Sequence, residues 1–590
     1  MFNVEVDNQN DWGSRKIFLA AMLSQTLGAN TIVLLPQQAV LYGATGHILL
    51  YSVIYVFIGI PLLYMEYVTG QFTGRNCLEV WHARPCLSHV GYLQIFWQIA
   101  YVIFTHSFSS FVLHYFLISF EDPIPYYVCG PWTNKDCNIL YYNYTIHQDC
   151  LTVKDRLPYC NQLCETFPEY QYWRYYLLGQ NKTEYYLAWR VTLASALIIG
   201  ALFISCFKKI QSVKWVLGFC ATFIIGSRFI FLIGSMLQKG IVVKFEDALD
   251  ADFASFVDFI EFPACVVEVL YSLNVGTGIS FNLSSRSSFR SPCYSNTVIV
   301  VVIAAAITII GICSNAMMLC PYSFKHNVHP SAVVKYPMFI TYEFIPRLLN
   351  VYESKAFWLI TCYSLITVAF FSVNAIIMSN LIEVLGKNHK MGRYPGMVAM
   401  IMTIALYLIT IPFLGNKSFF FIMSLQRGIN FLPIFAILIE CFVFLICYGF
   451  SRFSEDVHFM LGVQPKPFVK LSWAVSIFVL VYVSCVELFA IYERRLVSVG
   501  NQISWWILIT IIVLTILVAL IRISKAMFEK RLQEVVGLDR TWGPKNEVLQ
   551  RSRAMFTTHA MTKEYIYRQY HLQAGILRRQ RNCNIRVERF

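Results

Sequence analysis

Apolar residues in this chain gather into runs long enough to cross a bilayer, separated by short polar segments. They neither alternate nor keep to one helical face. About 20 consecutive apolar residues suffice for a transmembrane helix. Such runs lie near 17–35, 48–66, 92–120, 185–207, 215–235, 259–281, 297–320, 355–385, 395–414, 418–449, 471–491 and 504–524. The pattern predicts an all-α polytopic membrane protein with twelve transmembrane helices spread over 17–524. Polar sequence remains at 1–16, in a large loop at 121–184, and in a tail at 525–590. The leading residues are acidic and polar, not basic, so no cleavable signal peptide is expected.

Composition agrees: 57% hydrophobic and 14% charged residues are too apolar a mixture for a soluble globule of 590 residues. Charge then orients the spans. Lys208, Lys209 and Lys214 follow span four, Arg286 and Arg290 follow span six, and Lys387, Lys390 and Arg393 follow span eight. Positive residues in short loops mark the cytoplasmic side, so both termini are expected there. Glu493-Arg494-Arg495 before span twelve is the one mild exception. The net charge of +13 concentrates in the tail, where fourteen Lys or Arg face six Asp or Glu. A basic run abutting a membrane helix points to anionic lipid as its partner, and no nucleic-acid partner is expected.

Five of the eighteen cysteines (Cys129, Cys137, Cys150, Cys160, Cys164) fall in the 121–184 loop, with acceptor sequons at Asn143 and Asn181. Disulfides and glycans require a lumenal or extracellular face, so this loop is expected to face outward. Four of the five could pair, but connectivity is not deducible from sequence. His106 and His114, two turns apart on span three, fit interior hydrogen bonding better than metal or a proton relay. No phosphate-binding loop, nucleophile elbow or metal-ligand cluster is present, and an enzyme is not expected. In span six, Gly276 and Gly278 bracket Thr277 within apolar sequence, at about 1 kcal/mol per helical glycine. A break there would expose carbonyls and a half-helix N-terminus to ligands; the alternative is that small residues let helices approach closely.

The run Gly59-Ile-Pro-Leu-Leu-Tyr-Met-Glu66-Tyr-Val-Thr-Gly70-Gln-Phe-Thr73 places one glutamate at the edge of span two and leaves the bilayer through a Gly-Gln turn. It closely resembles the second transmembrane helix of the neurotransmitter:sodium symporter family. Further landmarks keep the family's order. They are Gly43–Tyr51, Ser119-Phe120 with Pro125, Cys129, Pro131-Trp132 and Cys137, then Ser272–Gly278, Ile439-Glu440, Phe453–Gly462 and Trp542-Gly-Pro544. The resemblance runs from Trp12 to about Pro544. It implies an inverted-repeat (5+5) LeuT-like transporter fold with broken helices 1 and 6, a Cys129–Cys137 disulfide, and a substrate and ion pocket at the breaks.

At several positions the chain departs from that family. With Pro36 as anchor, Leu34 replaces the outer-gate arginine, Thr31 takes the ion-binding asparagine's place, and Asn30 sits one residue early. Asn30 could serve only if the unwound segment absorbs an extra residue. Gln426 replaces the gate's aspartate, so both halves of that ion pair are neutral, which is coherent because one lone charge there would be costly. Of the second sodium site's Asp-Ser only Ser372 remains, Ala304 replaces an asparagine, and Thr105 replaces the tyrosine that caps the substrate carboxylate. Sodium prefers carboxylate and other oxygen ligands. The sodium and chloride that the resemblance implies as ions therefore have eroded sites, and stoichiometric sodium coupling is in doubt.

The remaining pocket residues implied are Tyr271, Ser272, Asn274, Gly276 and Gly278, with Glu268 in place of a glutamine. Glu268 and Ser272 share a helix face. An intramembrane acid is a functional candidate: Glu268 supplies the negative charge that chloride otherwise provides, or carries a proton. The alternative is a protonated Glu268 hydrogen-bonded to a neighbouring helix. These features point to secondary transport of a small amino-acid-like or amine-like organic solute. The alternative reading is a non-transporting scaffold or receptor whose tail, with Arg568, Arg578, Arg579 and Arg581, engages a cytoplasmic protein partner. If Glu268 carries charge or a proton, Glu268→Gln changes transport or its dependence on external pH; uptake identical to wild type at every pH tested rejects both roles.

Overall fold

The computed structural model describes residues 12–134, 137, 167–180, 185–249, 261–327, 329–330, 340–386, 394–537, 539 and 542–556. Asn143, Asn181, Cys150, Cys160, Cys164 and the tail arginines past 556 lie outside the described residues. Within them, regular structure is helical, without strands. Ten helical segments are long and apolar enough to cross a membrane, and the bent pair Arg15–Thr26 with Asn30–Tyr42 makes an eleventh if counted as one span. The protein is a multi-pass membrane protein.

Helix α1 (Arg15–Thr26) starts at Ser14, whose hydroxyl accepts from the Ile17 amide, a standard N-cap. A π turn at Asn30–Leu34 leads into α2 (Leu35–Tyr42), and the two halves meet at 58°. Gly43, at φ 112°, turns the chain into α3 (Ala44–Ile54), which continues through a second π turn, Tyr55–Gly59, into α4 (Ile60–Thr73). Next come α5 (Val90–Ile118), α6 (Trp189–Cys206), α7 (Ile210–Met236) and α8 (Ile241–Leu249). Two short helices follow, α9 (Glu261–Leu273) and α10 (Ile279–Ser284). The remainder are α11 (Cys293–His326), α12 (Lys355–Gly386), α13 (Pro395–Thr410), α14 (Asn416–Ile429), α15 (Phe431–Glu440), α16 (Phe450–Leu461), α17 (Pro467–Arg494) and α18 (Val499–Phe528).

The body is built around α1–α5, α9–α12 and α15, whose side chains share one buried core. Helices α17 and α18 lie at the periphery and present Phe478, Trp506, Leu514, Leu520 and Phe528 outward. A helix apolar all round is at home where lipid is the solvent. At one end of the body the chain carries the Cys129–Cys137 disulfide. At the other, the segment after α18 folds back: Arg84 donates to the carbonyls of Val536 and Cys447, Trp542 stacks on Phe444, and Arg553 donates to Asp456 Oδ1 at 2.6 Å.

Helix α4 departs from the expectation. The sequence places Glu66 at the edge of a span and an exit at Gly70-Gln71. The helix instead runs to Thr73 and ends at Gly74, in the left-handed conformation at φ 62°. Glu66, Gly70 and Gln71 are thus interior, and each meets α10 or the segment after it. A Cβ on Gly70 would lie 2.1 Å from Ser284 Oγ and 2.7 Å from the Phe281 carbonyl oxygen. Gln71 donates to the carbonyls of Phe289 and Ser291 at 3.0 and 2.9 Å. Polar residues that read as a membrane exit are buried contacts between helices.

Gly70→Val is therefore expected to lower the thermal unfolding midpoint of the purified protein by an amount equivalent to about 1–3 kcal/mol of overpacking. Gly218→Ala, where an added Cβ meets nothing within 4 Å, should leave it unchanged. Equal midpoints for both variants would contradict the packing at Gly70.

Candidate functional site

The chain between α9 and α10 is not helical. Asn274, Gly276 and Gly278 adopt φ values of 54°, 78° and 79°, a region that glycine enters freely and asparagine tolerates. A Cβ on Gly276 would fall 2.1 Å from the Pro433 carbonyl oxygen, so both conformation and space demand glycine there. Backbone groups released by the break are buried and need partners. Glu66 Oε1 accepts from the Gly276 amide at 2.6 Å. Gln94 and Gln98 donate to the carbonyls of Gly276 and Thr277 at 3.2 and 2.7 Å. Gln25 donates to the Leu273 carbonyl at 3.3 Å and to Ser280 Oγ at 2.8 Å, while Tyr67 donates to Gln25 Oε1. The supporting side chains are themselves held: Gln94 also donates to Glu440 Oε1 at 2.7 Å, and Asn380 donates to Gln98 Oε1.

The break between α1 and α2 faces this one. Gly28 lets the chain pass Val373, whose Cγ2 would be 2.4 Å from a Cβ there. In the π turn the Leu35 amide bonds the Asn30 carbonyl, five residues back. From this turn Asn30 donates to the Tyr271 carbonyl on α9 at 3.1 Å. Arg228, buried on α7, donates to the Ile32 carbonyl at 2.5 Å and braces the turn from the other side.

Beside the first break and the last turn of α9 lies a cavity of about 480 Å³. Val33, Leu34, Trp97, Tyr101, Phe104, Phe108, Phe370 and Met423 supply its apolar and aromatic wall; Asn30, Gln37, Thr105, Glu268, Thr341 and Asn430 supply polar groups, with Tyr271 between them. Trp97 and Tyr101 stack with ring centres 4.6 Å apart. Thr105 donates to Asn374 Oδ1 at 2.5 Å and also lies 2.8 Å from the Tyr101 carbonyl oxygen. Tyr271 donates to the Asn430 carbonyl.

Glu268 and Ser272 meet α3 and the π turn that follows it in two rungs. Tyr51 donates to Glu268 Oε2 at 2.5 Å, and Tyr55 OH lies 2.8 Å from Ser272 Oγ and 3.2 Å from Thr308 Oγ1. Both pairs are four residues apart, one helical turn on each side. Only Glu268 reaches the cavity wall.

Of the residues singled out from sequence, Asn30, Thr105, Glu268 and Tyr271 converge on the cavity. Thr31 bonds back to the Thr26 carbonyl. Asn274, Gly276 and Gly278 form the break itself, with Asn274 donating to the Gln25 carbonyl at 2.6 Å. Ser272 is in the tyrosine cluster, so Asn30 and Ser272 bond to different partners. Ser372 donates to the Ala369 carbonyl at 3.0 Å and lies 3.5 Å from the Ser24 carbonyl oxygen. Leu34 is on the wall, and buried Gln426 donates to Asn430 Oδ1 at 2.6 Å. His106 bonds Ser195 and His114 bonds Tyr172, each at 2.9 Å. Sequence reasoning missed Gln25, Gln94, Gln98, Tyr51, Tyr55 and Arg228. A signal was present: Gln94 with Gln98, and Tyr51 with Tyr55, are hydrogen-bonding pairs at i and i+4 inside apolar spans.

Residues 9–532 match the model of the Sodium:neurotransmitter symporter family. The chain is similar to the sodium- and chloride-dependent neutral and basic amino acid transporter B(0+) of Homo sapiens, 23% identical over 594 residues that cover 92% of this chain and 90% of that one. It is also similar to the sodium-dependent dopamine transporter of Bos taurus, 22% identical over 489 residues, 80% of this chain and 67% of that one.

The Glu66 bond to the Gly276 amide makes a specific demand on stability. Glu66→Ala leaves a buried donor unmet and should destabilise the detergent-solubilised protein by about 1.5–3 kcal/mol, while Glu66→Gln, which keeps an acceptor oxygen, should lose less. Unfolding curves that rank Gln below Ala would refute the assignment.

Proposed function

Because the chain belongs to the sodium:neurotransmitter symporter family, we propose that it is a secondary transporter moving a small amino-acid-like or amine-like organic solute across the plasma membrane, with the cavity beside the first break as its binding site. The single observation that carries this reading is that cavity: it borders the bend of the first span, and it is lined by Asn30, Thr105, Glu268 and Tyr271. The pair α9 and α10, broken at Asn274–Gly278, is read as the twelfth span, completing a 5+5 inverted repeat with the bent first span. Alternating access is then rocking of one bundle against the other around the fixed site. The basic loops and tail favour cytoplasmic termini, and the disulfide favours an outward-facing 121–184 loop.

Sodium coupling is weak or absent in this reading. Two polar positions expected at sodium sites are occupied otherwise: Ser372 bonds within its own helix, and Ala304 is apolar and buried. In this reading Glu268, on the cavity wall, supplies the negative charge that chloride otherwise provides, or carries a proton. Leu34 and Gln426 are both neutral, so no ion pair can join these two positions.

The scaffold reading keeps one specific observation, the tail folded against Arg84 and Asp456. Uptake separates the two: radiolabelled amino acids and amines are offered to cells with sodium, chloride and proton gradients varied singly. Transport predicts uptake that survives sodium replacement for at least one solute. Absence of flux under every gradient, with normal surface expression, would replace the transporter by the scaffold.

A further inference from the structure

We infer that the cavity selects a small organic ammonium ion bearing no carboxylate, and that Glu268 is its anchoring anion. This rests on the cavity being the solute site and narrows what the site takes. Among the described residues that line the cavity, Glu268 is the only acidic or basic side chain. Its Oε2 accepts one hydrogen bond, from Tyr51, and a carboxylate has capacity for several more. A carboxylate held away from bulk water with no cationic partner on the wall is costly, and an entering cation offsets that cost. Around it stand Trp97, Tyr101, Phe104, Phe108 and Phe370, the kind of aromatic surface that attracts ammonium groups through the ring faces.

A solute carboxylate finds no comparable partner. No Lys, Arg or His is among those wall residues. The single hydroxyl proton of Thr105 is spent inside the protein, on Asn374 or the Tyr101 carbonyl, and that of Tyr271 on the Asn430 carbonyl. The Gly276 amide, at the break where a half-helix would receive an anion, is taken by Glu66. Asn30 gives an amide proton to the Tyr271 carbonyl. Arg228 donates to the Ile32 carbonyl and is not among the wall residues. A zwitterion would bring a second carboxylate to a wall that, among the described residues, offers it no cationic side chain.

The test is equilibrium binding to the purified full-length protein with pairs matched in skeleton: tyramine against tyrosine, and choline against glycine betaine. The ammonium member of at least one pair should bind about tenfold more tightly than its carboxylated partner, Glu268→Gln should weaken it by about tenfold, and Glu268→Asp should weaken it less. Equal binding within both pairs, preference for the carboxylated member, or no binding by any of the four overturns the inference. So does undiminished ammonium affinity in Glu268→Gln. If that variant does not fold, the preference within wild-type pairs decides. Binding is read independently of flux. An ammonium ion that binds but is not moved keeps this inference and removes the transport reading; amino-acid uptake indifferent to Glu268→Gln does the reverse.

Discussion

Backbone polar groups freed inside a membrane must be satisfied by the protein itself, and the architecture around Asn274–Gly278 answers that requirement. One interrupted helix calls on side chains from several others. Glu66 comes from α4, Gln94 and Gln98 from α5, and Gln25 from α1; Glu440 and Asn380 hold those helpers in place. Remove the break and these buried polar residues would have no reason to lie in apolar helices. Keep it and they become obligatory, because each would otherwise leave a donor or acceptor orphaned.

The same logic separates support from selectivity. Polar groups on the far side of the break are consumed by backbone and by one another, so they hold the site open without offering themselves to a solute. What remains on the cavity wall is mostly aromatic, with a few amides and hydroxyls whose protons are largely spent internally. Glu268 differs from them as the one acidic or basic side chain among the described residues of the wall. A charged gate would compete with it for solute and field, and at Leu34 and Gln426 that charge is missing on both sides.

Sequence patterns identified the membrane-spanning runs because lipid imposes a coarse rule, about 20 apolar residues per helical crossing. The turn at Gly43 and the glycines of span six were equally visible, since positive φ favours glycine. Glu66 was found but misplaced. A polar residue near the end of an apolar run reads as an exit, and nothing local says that α10 packs against Gly70 and Gln71 instead. Asn30 was found, but the sequence could not say that it would donate to the Tyr271 carbonyl across to α9. Tyr51 and Tyr55 went unread because their partners, Glu268 and Ser272, lie more than two hundred positions away.

From the sequence alone came the class of molecule, its family likeness, the flanking polarity of its loops and the residues that depart from the family pattern. These are properties of composition and local spacing, and lipid and backbone geometry act on them directly. Only the tertiary structure decided which of those residues share a cavity and which are spent holding a broken helix together. That division depends on which side chains meet across distant helices, and on whether each polar atom already has a partner. Glu268 reaches the wall while Ser272, one turn away on the same helix, is held by Tyr55; the spacing of the two could not distinguish them.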